Sequence, residues 1–532
     1  MKSHKINLED TFLFSDLIND LVNENENIRC FVSDFLNLKN IGKKIQKKIN
    51  IKERRELVEI LHEQYSQTNF SQPNLPNIFK NISRLNNQNT HIVSTGHQLN
   101  LFASPLFLIY KIISIISLSK HLNKKFTNFH FVPCFWMASE DHDFEEIKTV
   151  TCFNKKYDWT IDNSDDMIGN LNTSSIMSII DDMKDELIKS KYGEELFVIL
   201  KKTYFENKNY SDANRAFLTY LFRDYGLVIV DGNHKVLKKR IISDLHEEIN
   251  NQFIYKTVAN TNSILSSKYR PQINALSSNI FYVKDQIRSK IIFENNQYIT
   301  KKHNCSWSKK ELLEDMELNP HFFSPNVFFR TLYQERVLSS IIYVGGANEI
   351  SYWLQLKQMF ESRGVDFPLL CLRSFFLILS KEASKFQRKH NLDINDWFLS
   401  EHIVLQKVLK KNINIDIDLL YNKLNYFTDY VTQQVSCLDH FPTSSVEVLK
   451  TRFYKNLLKF ESKILKHEKN NKPKLVDEFN NVYNSVFQNG LVQEKHKSFF
   501  PYFIYYGPEF FRSLIKKSMC IEQKYIILES EN

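Results

Sequence analysis

The stretch from residue 91 to 150 constrains the fold most tightly. It reads HIVSTGHQLNLFASPLFLIYKIISII, then a polar break, then FHFVPCFWMASEDHDFEEI. A short β-rich run meets a tight turn, Thr95-Gly96-His97-Gln98, and a long apolar helical segment follows. The second apolar run ends in Glu140-Asp141-His142-Asp143-Phe144-Glu145. This is the sequence shape of a βαβ unit with polar chemistry at the carboxyl end of each strand. In open α/β sheets ligands bind at those ends.

The same alternation runs through residues 86–375, with strand candidates at 91–94, 129–138, 226–230, 341–344 and 368–372. Several are nearly continuous apolar runs, as parallel strands buried on both faces require. The expected fold class is therefore α/β, a Rossmann-like doubly wound parallel sheet. Residues near 240–325 break the alternation and read as an insertion carrying the hairpin-like NNQYITKKHN. Residues 1–85 read as an amphipathic helical segment packing on the core, with SQPNLPNI at 71–78 as a linker.

Residues 376–475 change character. Leu420, Leu424, Phe427, Val431 and Val435 recur at spacings of three and four, as do Leu449, Phe453, Leu457, Phe460 and Ile464. Two such stripes joined by a short turn predict an α-helical antiparallel coiled-coil domain. Ser444 and Glu447 have the spacing of a capping box at the start of the second helix. The stripes either pack only inside the monomer or, with no third helix of matching length nearby, form a homodimer contact, which is the reading favoured. Residues 476–532 read as a segment returning to the core.

A chain of 532 residues predicts two or three domains. Its 70 basic and 61 acidic residues are interleaved, which argues against a nucleic-acid binder, whose cations concentrate on one face. The seven cysteines are odd in number and form no C-x-x-C pair. That implies a reducing compartment, with neither a disulfide framework nor a structural zinc site. No apolar signal segment is visible at the N-terminus. The longest apolar run, from Pro105 to Leu118, is interrupted by Lys111 and falls short of the ~20 residues that span a bilayer. It reads as a buried core helix, and the protein as cytoplasmic with no membrane partner.

Four places carry candidate chemistry. At Thr95-Gly96-His97-Gln98, glycine permits a sharp turn, and a helix start would offer free N–H groups to an anion. His97 there is a candidate donor to phosphate or carboxylate, although a histidine filling a polar turn explains the motif as well. Clustered carboxylates around a histidine at Glu140-Asp141-His142-Asp143 can orient a general base, bind an amine or hold Mg²⁺. No cysteine lies at ligand spacing, so no residue is assigned to a metal centre. Asp231 ends a buried strand, where it binds a ribose hydroxyl or caps a helix. Asn326, Arg330 and Gln334 share a helical face, and Arg330 is a carboxylate or phosphate clamp or an ion-pair partner of Glu335. Gly345 and Gly346 end another strand, with Glu349 placed to cap the next helix or hold an amine.

The turn at Gly96-His97 resembles the His/Gly signature of class I aminoacyl-tRNA synthetases and nucleotidylyl transferases. More specifically, TGHQLNLFASPLFLIYKI, PCFWMASEDHDFEEI and, at 324–360, SPNVFFRTLYQERVLSSIIYVGGANEISYWLQLKQMF resemble the bacillithiol biosynthesis cysteine-adding enzyme family. The resemblance runs in order to about Phe511. It implies a ligase that attaches L-cysteine to glucosaminyl malate by an amide bond in the last step of bacillithiol biosynthesis, and a dimer through the coiled coil. It makes His97, Asp141, His142 and Asp143 the catalytic candidates. It makes Thr95, Gly96, Gln98, Glu140, Asp231, Asn326, Arg330, Gly345, Gly346, Glu349 and Gln493 the binding candidates. Activation through an adenylate or acyl phosphate would suit the fold, so ATP with Mg²⁺ is the expected cofactor.

Two departures stand out. Gln493-Glu494-Lys495 has lysine where the family commonly has arginine, losing a planar fork. Ser104 precedes Pro105 where the family usually has glycine. The alternatives are a nucleotidylyl transferase acting on another substrate and a non-catalytic coiled-coil adaptor.

Overall fold

The computed structural model describes residues 2–71, 74–161, 166–411, 413, 415–438, 442, 444–518 and 521–530. Its centre is a five-stranded sheet of β1 (Thr90–His97), β2 (His130–Met137), β3 (Val228–Asp231), β4 (Ile342–Gly345) and β5 (Leu369–Leu372). The order is β3-β2-β1-β4-β5, and every pairing is parallel. The chain thus winds outward from β1 in one direction, returns, and winds outward in the other. The strand order reverses between β1 and β4, and a crevice opens at such a switch point.

The apolar runs explain why these strands are central. Ile92, Val132, Trp136, Val230 and Tyr343 belong to the core on one face, while Val93, Phe135, Ile229, Ile342 and Val344 belong to the core on the other. Successive side chains point to opposite faces, so only an unbroken apolar run satisfies both. Helix α1 (Leu106–Lys125) covers the second face and is buried nearly all round. Among the described residues it is the one helix long and apolar enough to cross a membrane, but it is packed mostly inside the fold.

Helix α1 does not start directly after the Gly96-His97 turn as expected. A 3-10 turn, Leu101–Ala103, intervenes, and the Leu106 N–H donates to the Lys497 carbonyl at 2.8 Å. The returning segment therefore occupies the helix start that the sequence suggested for an anion.

The insertion contributes a five-stranded antiparallel sheet that includes Ile280–Lys284, Ile287–Glu294 and Gln297–Thr300. Its tight turns place Asp285, Gln286, Asn295 and Asn296 at positive φ, the conformation that matches hairpin twist. A third sheet joins Lys2–Asn7, Lys524–Glu529 and Phe375–Leu379. Two expectations are corrected here. The N-terminal segment opens with a strand before its helices, and the run after residue 374 is a strand rather than the start of the helical region. Helices α2 (Val327–Leu338) and α3 (Ala347–Trp353) flank β4.

Helices α4 (Ile417–Val435) and α5 (Ser444–Asn471) form the hairpin. Tyr421 donates to Glu461 at 2.7 Å, Tyr454 donates to Asn425 at 3.3 Å, and the Phe427 and Phe453 rings meet edge to face at 5.9 Å. These pairings run in opposite directions along the two helices, so the hairpin is antiparallel. Glu447 sits in the first turn of α5. Ser444 is the first residue of that helix and not the residue before it, so the expected capping box is corrected; residues 439–441 and 443 lie outside the described residues, as do 72 and 73 of the expected linker.

Candidate active site at the switch point

A cleft of about 1060 Å³ opens at the carboxyl ends of β1 and β4. Of the residues singled out from sequence, Gly96, His97, Gln98, Asp141, Asn326, Arg330, Gly346 and Glu349 line it. Thr95, Glu140, His142, Asp143, Asp231, Gly345 and Gln493 do not.

At the end of β1, a Cβ on Gly96 would stand 3.0 Å from Gln334 Oε1. Glycine is what lets α2 approach the strand. The next residue, His97, packs its ring 5.1 Å from Phe107, and its Nδ1 lies 3.2 Å from the Gln98 carbonyl. A carbonyl only accepts, so Nδ1 carries the proton and Nε2 the lone pair. Burial, and then the Lys111 charge, lower the His97 pKa to about 4. At neutral pH it is an uncharged imidazole whose one N–H is spent on a carbonyl.

Beneath it, Lys111 of α1 donates to the Gly96 carbonyl at 2.6 Å and pairs with Glu349 Oε2 at 2.6 Å. Glu349 accepts the Gly346 N–H at 3.1 Å and the Tyr343 hydroxyl on its other oxygen. The backbone turns that end β1 and β4 are therefore tied through one buried lysine and one carboxylate. Glu349 both caps α3 and answers a cation, but the cation is Lys111 and not a ligand amine.

The acidic cluster after β2 is taken apart by the backbone. Glu140 turns inward and pairs with Lys238 at 3.1 Å. Asp141 turns to the cleft and accepts from Gln98 at 3.2 Å and Arg330 at 3.0 Å, with Arg288 at 3.8 Å. Burial works against the Asp141 charge, but Arg330 and Arg288 overcome it and hold the carboxyl well below its usual range. His142 Nδ1 accepts from Arg288 at 2.9 Å, so its ring is neutral, and burial followed by the Arg288 charge keeps its pKa low. Asp143 is exposed ahead of a one-turn helix.

The remaining candidates brace the scaffold. Asp231 accepts the Ser139 hydroxyl and the Asn233 N–H at 2.9 Å, with Arg215 at 3.9 Å. Asn326 caps α2 by accepting from Phe328 and Phe329 at 3.1 and 3.0 Å. Gln493 accepts the Ile378 N–H at 3.0 Å and donates to its carbonyl at 2.9 Å, splicing the returning segment onto the strand at 375–379. Arg330 is the Asp141 partner, not a partner of Glu335.

Sequence reasoning missed Lys111, Tyr343, Arg373 and Glu494, all of which line the cleft. Lys111 had a signal: a lone cation inside an apolar helix must find a buried partner. Arg373 grips Glu494 with both terminal nitrogens, at 2.8 and 2.5 Å, and that pairing leaves no local trace. The residues do not fit a preformed metal centre, since among the described residues no three His, Cys, Asp or Glu converge.

This arrangement defines a class: a doubly wound α/β protein with a polar cleft at its switch point and a helical hairpin appended. Residues 1–374 match the family described as bacillithiol biosynthesis BshC, N-terminal Rossmann-like domain, and residues 376–530 match its C-terminal coiled-coil domain. The chain belongs to the BshC family. It is 33% identical over 539 residues, covering 99% of each chain, to a protein of Christiangramia forsetii named "Putative cysteine ligase BshC". It is 32% identical to the protein of that name from Flavobacterium johnsoniae, covering 99% of this chain and 100% of the relative. It is accordingly a ligase.

Proposed function

We propose that this ligase joins L-cysteine to the glucosamine amine of glucosaminyl malate, the last step of bacillithiol biosynthesis. The observation that carries this reading is the charge balance of the switch-point cleft. Lys111, Arg288, Arg330, Arg373 and Lys495 line it against Asp141, Glu146, Glu349 and Glu494; three of the cations are paired with three of the acids, and one positive charge is left over. Such a cleft suits a substrate rich in carboxylates.

In the reaction the amine attacks the activated cysteine carboxyl carbon. A C–N bond forms, the C–O bond to the leaving group breaks, and the amine gives up a proton. His97 Nε2, uncharged at neutral pH, is the acceptor offered by this cleft. ATP with Mg²⁺ would supply the leaving group. Lys495, exposed at the cleft, would face its phosphates, and Mg²⁺ would offset their charge.

The hairpin would bring two copies together. Tyr426, Tyr430, Leu458 and Phe460 are exposed along it, and an exposed apolar patch of that kind marks a partner surface. Six described cysteines are all free, which suits the reducing cytoplasm.

The test is incubation with glucosaminyl malate and L-cysteine, with and without ATP and Mg²⁺, followed by mass spectrometry. A thiol of the condensed mass is the expected product, formed only with ATP. No product from folded dimer under either condition rejects the reading.

A further inference from the structure

Two buried hydrogen-bonding atoms on one wall of the cleft have no partner among the described residues: Arg373 Nε and Tyr525 Oη. Both residues line the cleft, Arg373 being 6% exposed and Tyr525 fully buried. Buried polar groups are almost always hydrogen-bonded, so two orphans that line one cleft call for an explanation.

The third sheet brings both residues to Phe375. Phe375 and Tyr525 are partners in register, with rings stacked at 5.9 Å. The Arg373 guanidinium lies over the Phe375 ring at 4.2 Å. Its terminal nitrogens are committed to Glu494 and to the Ser374 carbonyl. Nε is the edge left over. Beside it, a Cβ on Gly346 would lie 3.8 Å from Nε and would meet no other atom within 4 Å. The glycine leaves room for one atom next to that N–H.

We propose that Arg373 Nε and Tyr525 Oη are donors of an anion-binding subsite on this wall of the cleft, with Nε holding a carboxylate or phosphate oxygen of the ligand beside Gly346. The subsite rests on the reading of this cleft as the substrate site. It lies on the β4 side of the switch point, across from His97 and Asp141. Gly346 and Arg373 come from the Rossmann-like segment, and Glu494 and Tyr525 from the coiled-coil segment. Neither segment alone contains the subsite. Glu494 fixes the guanidinium and acts as a positioning residue.

The test is calorimetric binding of malate and of inorganic phosphate to the full-length protein and to Tyr525→Phe, Gly346→Ala and Arg373→Lys. Tyr525→Phe removes a hydroxyl with no partner among the described residues, so its thermal midpoint should equal or exceed the wild type while affinity falls about tenfold. Gly346→Ala fills the space beside Nε at an ordinary φ of −72° and should weaken the same anion. Arg373→Lys keeps a cation for Glu494 but loses the Nε donor. Loss confined to malate assigns a carboxylate subsite, and loss confined to phosphate assigns a phosphate subsite.

Wild-type protein that binds neither anion overturns the proposal. So does wild-type affinity in both Tyr525→Phe and Gly346→Ala. Turnover separates this from the ligase reading. No product together with weakened anion binding in the variants removes the ligase and keeps the subsite. Product formation with an unchanged KM in Tyr525→Phe does the reverse.

Discussion

At the switch point Lys111, a cation, is 2% exposed, while on the hairpin Tyr426, an aromatic, is 78% exposed. The two regions invert the usual placement of polar and apolar groups in opposite senses. Burying a charge is costly unless it is paired, and the cleft answers with paired groups: Lys111 with Glu349, Asp141 with Arg330, Arg373 with Glu494. Exposing a stripe of rings is costly unless it is covered, and the described residues of one chain leave Tyr426 and Phe460 exposed. The first inversion prepares a site for a small charged ligand, and the second a surface for another macromolecule.

The severest way to break the contrast is Lys111→Met. If the buried charges hold the switch point together, losing one partner strands Glu349 and costs about 3–5 kcal/mol in urea unfolding. An unchanged midpoint would mean the two strand ends need no tie.

Next comes Glu335, which burial pushes up from 4.5 to about 7. The folded protein then holds this proton more tightly than the unfolded chain does. Its contribution is full below about pH 4.5 and is lost as pH rises to about 7, by up to about 3 kcal/mol. Unfolding curves at pH 5 and pH 7 should show that loss in the wild type but not in Glu335→Gln.

Asp141→Asn keeps the shape but cannot hold two guanidinium groups by charge. Stability should fall by about 1–3 kcal/mol and turnover by roughly a hundredfold, because Arg330 loses its fixed position. Turnover at the wild-type rate would reduce Asp141 to scaffold.

The smallest folding effect belongs to the hairpin. The pair Tyr430→Ser and Phe460→Ser should change monomer stability by no more than about 0.5 kcal/mol, while sedimentation shifts from dimer to monomer. A wild-type chain that already sediments as a monomer would undo the second half of the contrast.

All five central strands were legible, because burial on both faces demands an unbroken apolar run. Their order was not, since nothing local tells β4 to lie beside β1. The strand at 2–7 escaped notice because only Ile6 among KSHKIN is buried, which leaves too little pattern to read. At the site, strand ends pointed to Gly96, His97, Asp141 and Gly346. Sequence could not separate Glu140 from Asp141, adjacent acids that the turn after β2 sends to opposite sides. Nor could it join Arg373 to Glu494, 121 positions apart.

The small sheet that unites Lys2–Asn7 with Lys524–Glu529 has a consequence for how the molecule comes into being. His4 bonds Glu529 across 525 positions of chain, a thoroughly non-local contact. A ribosome delivers β1 to β5 long before residue 525 emerges, and domains generally fold as they are made. The nascent chain can thus assemble its central sheet early while the wall bearing Tyr525 is still missing. A chain cut short of residue 525 would carry the Gly96 turn but not the cleft wall to which Tyr525 belongs.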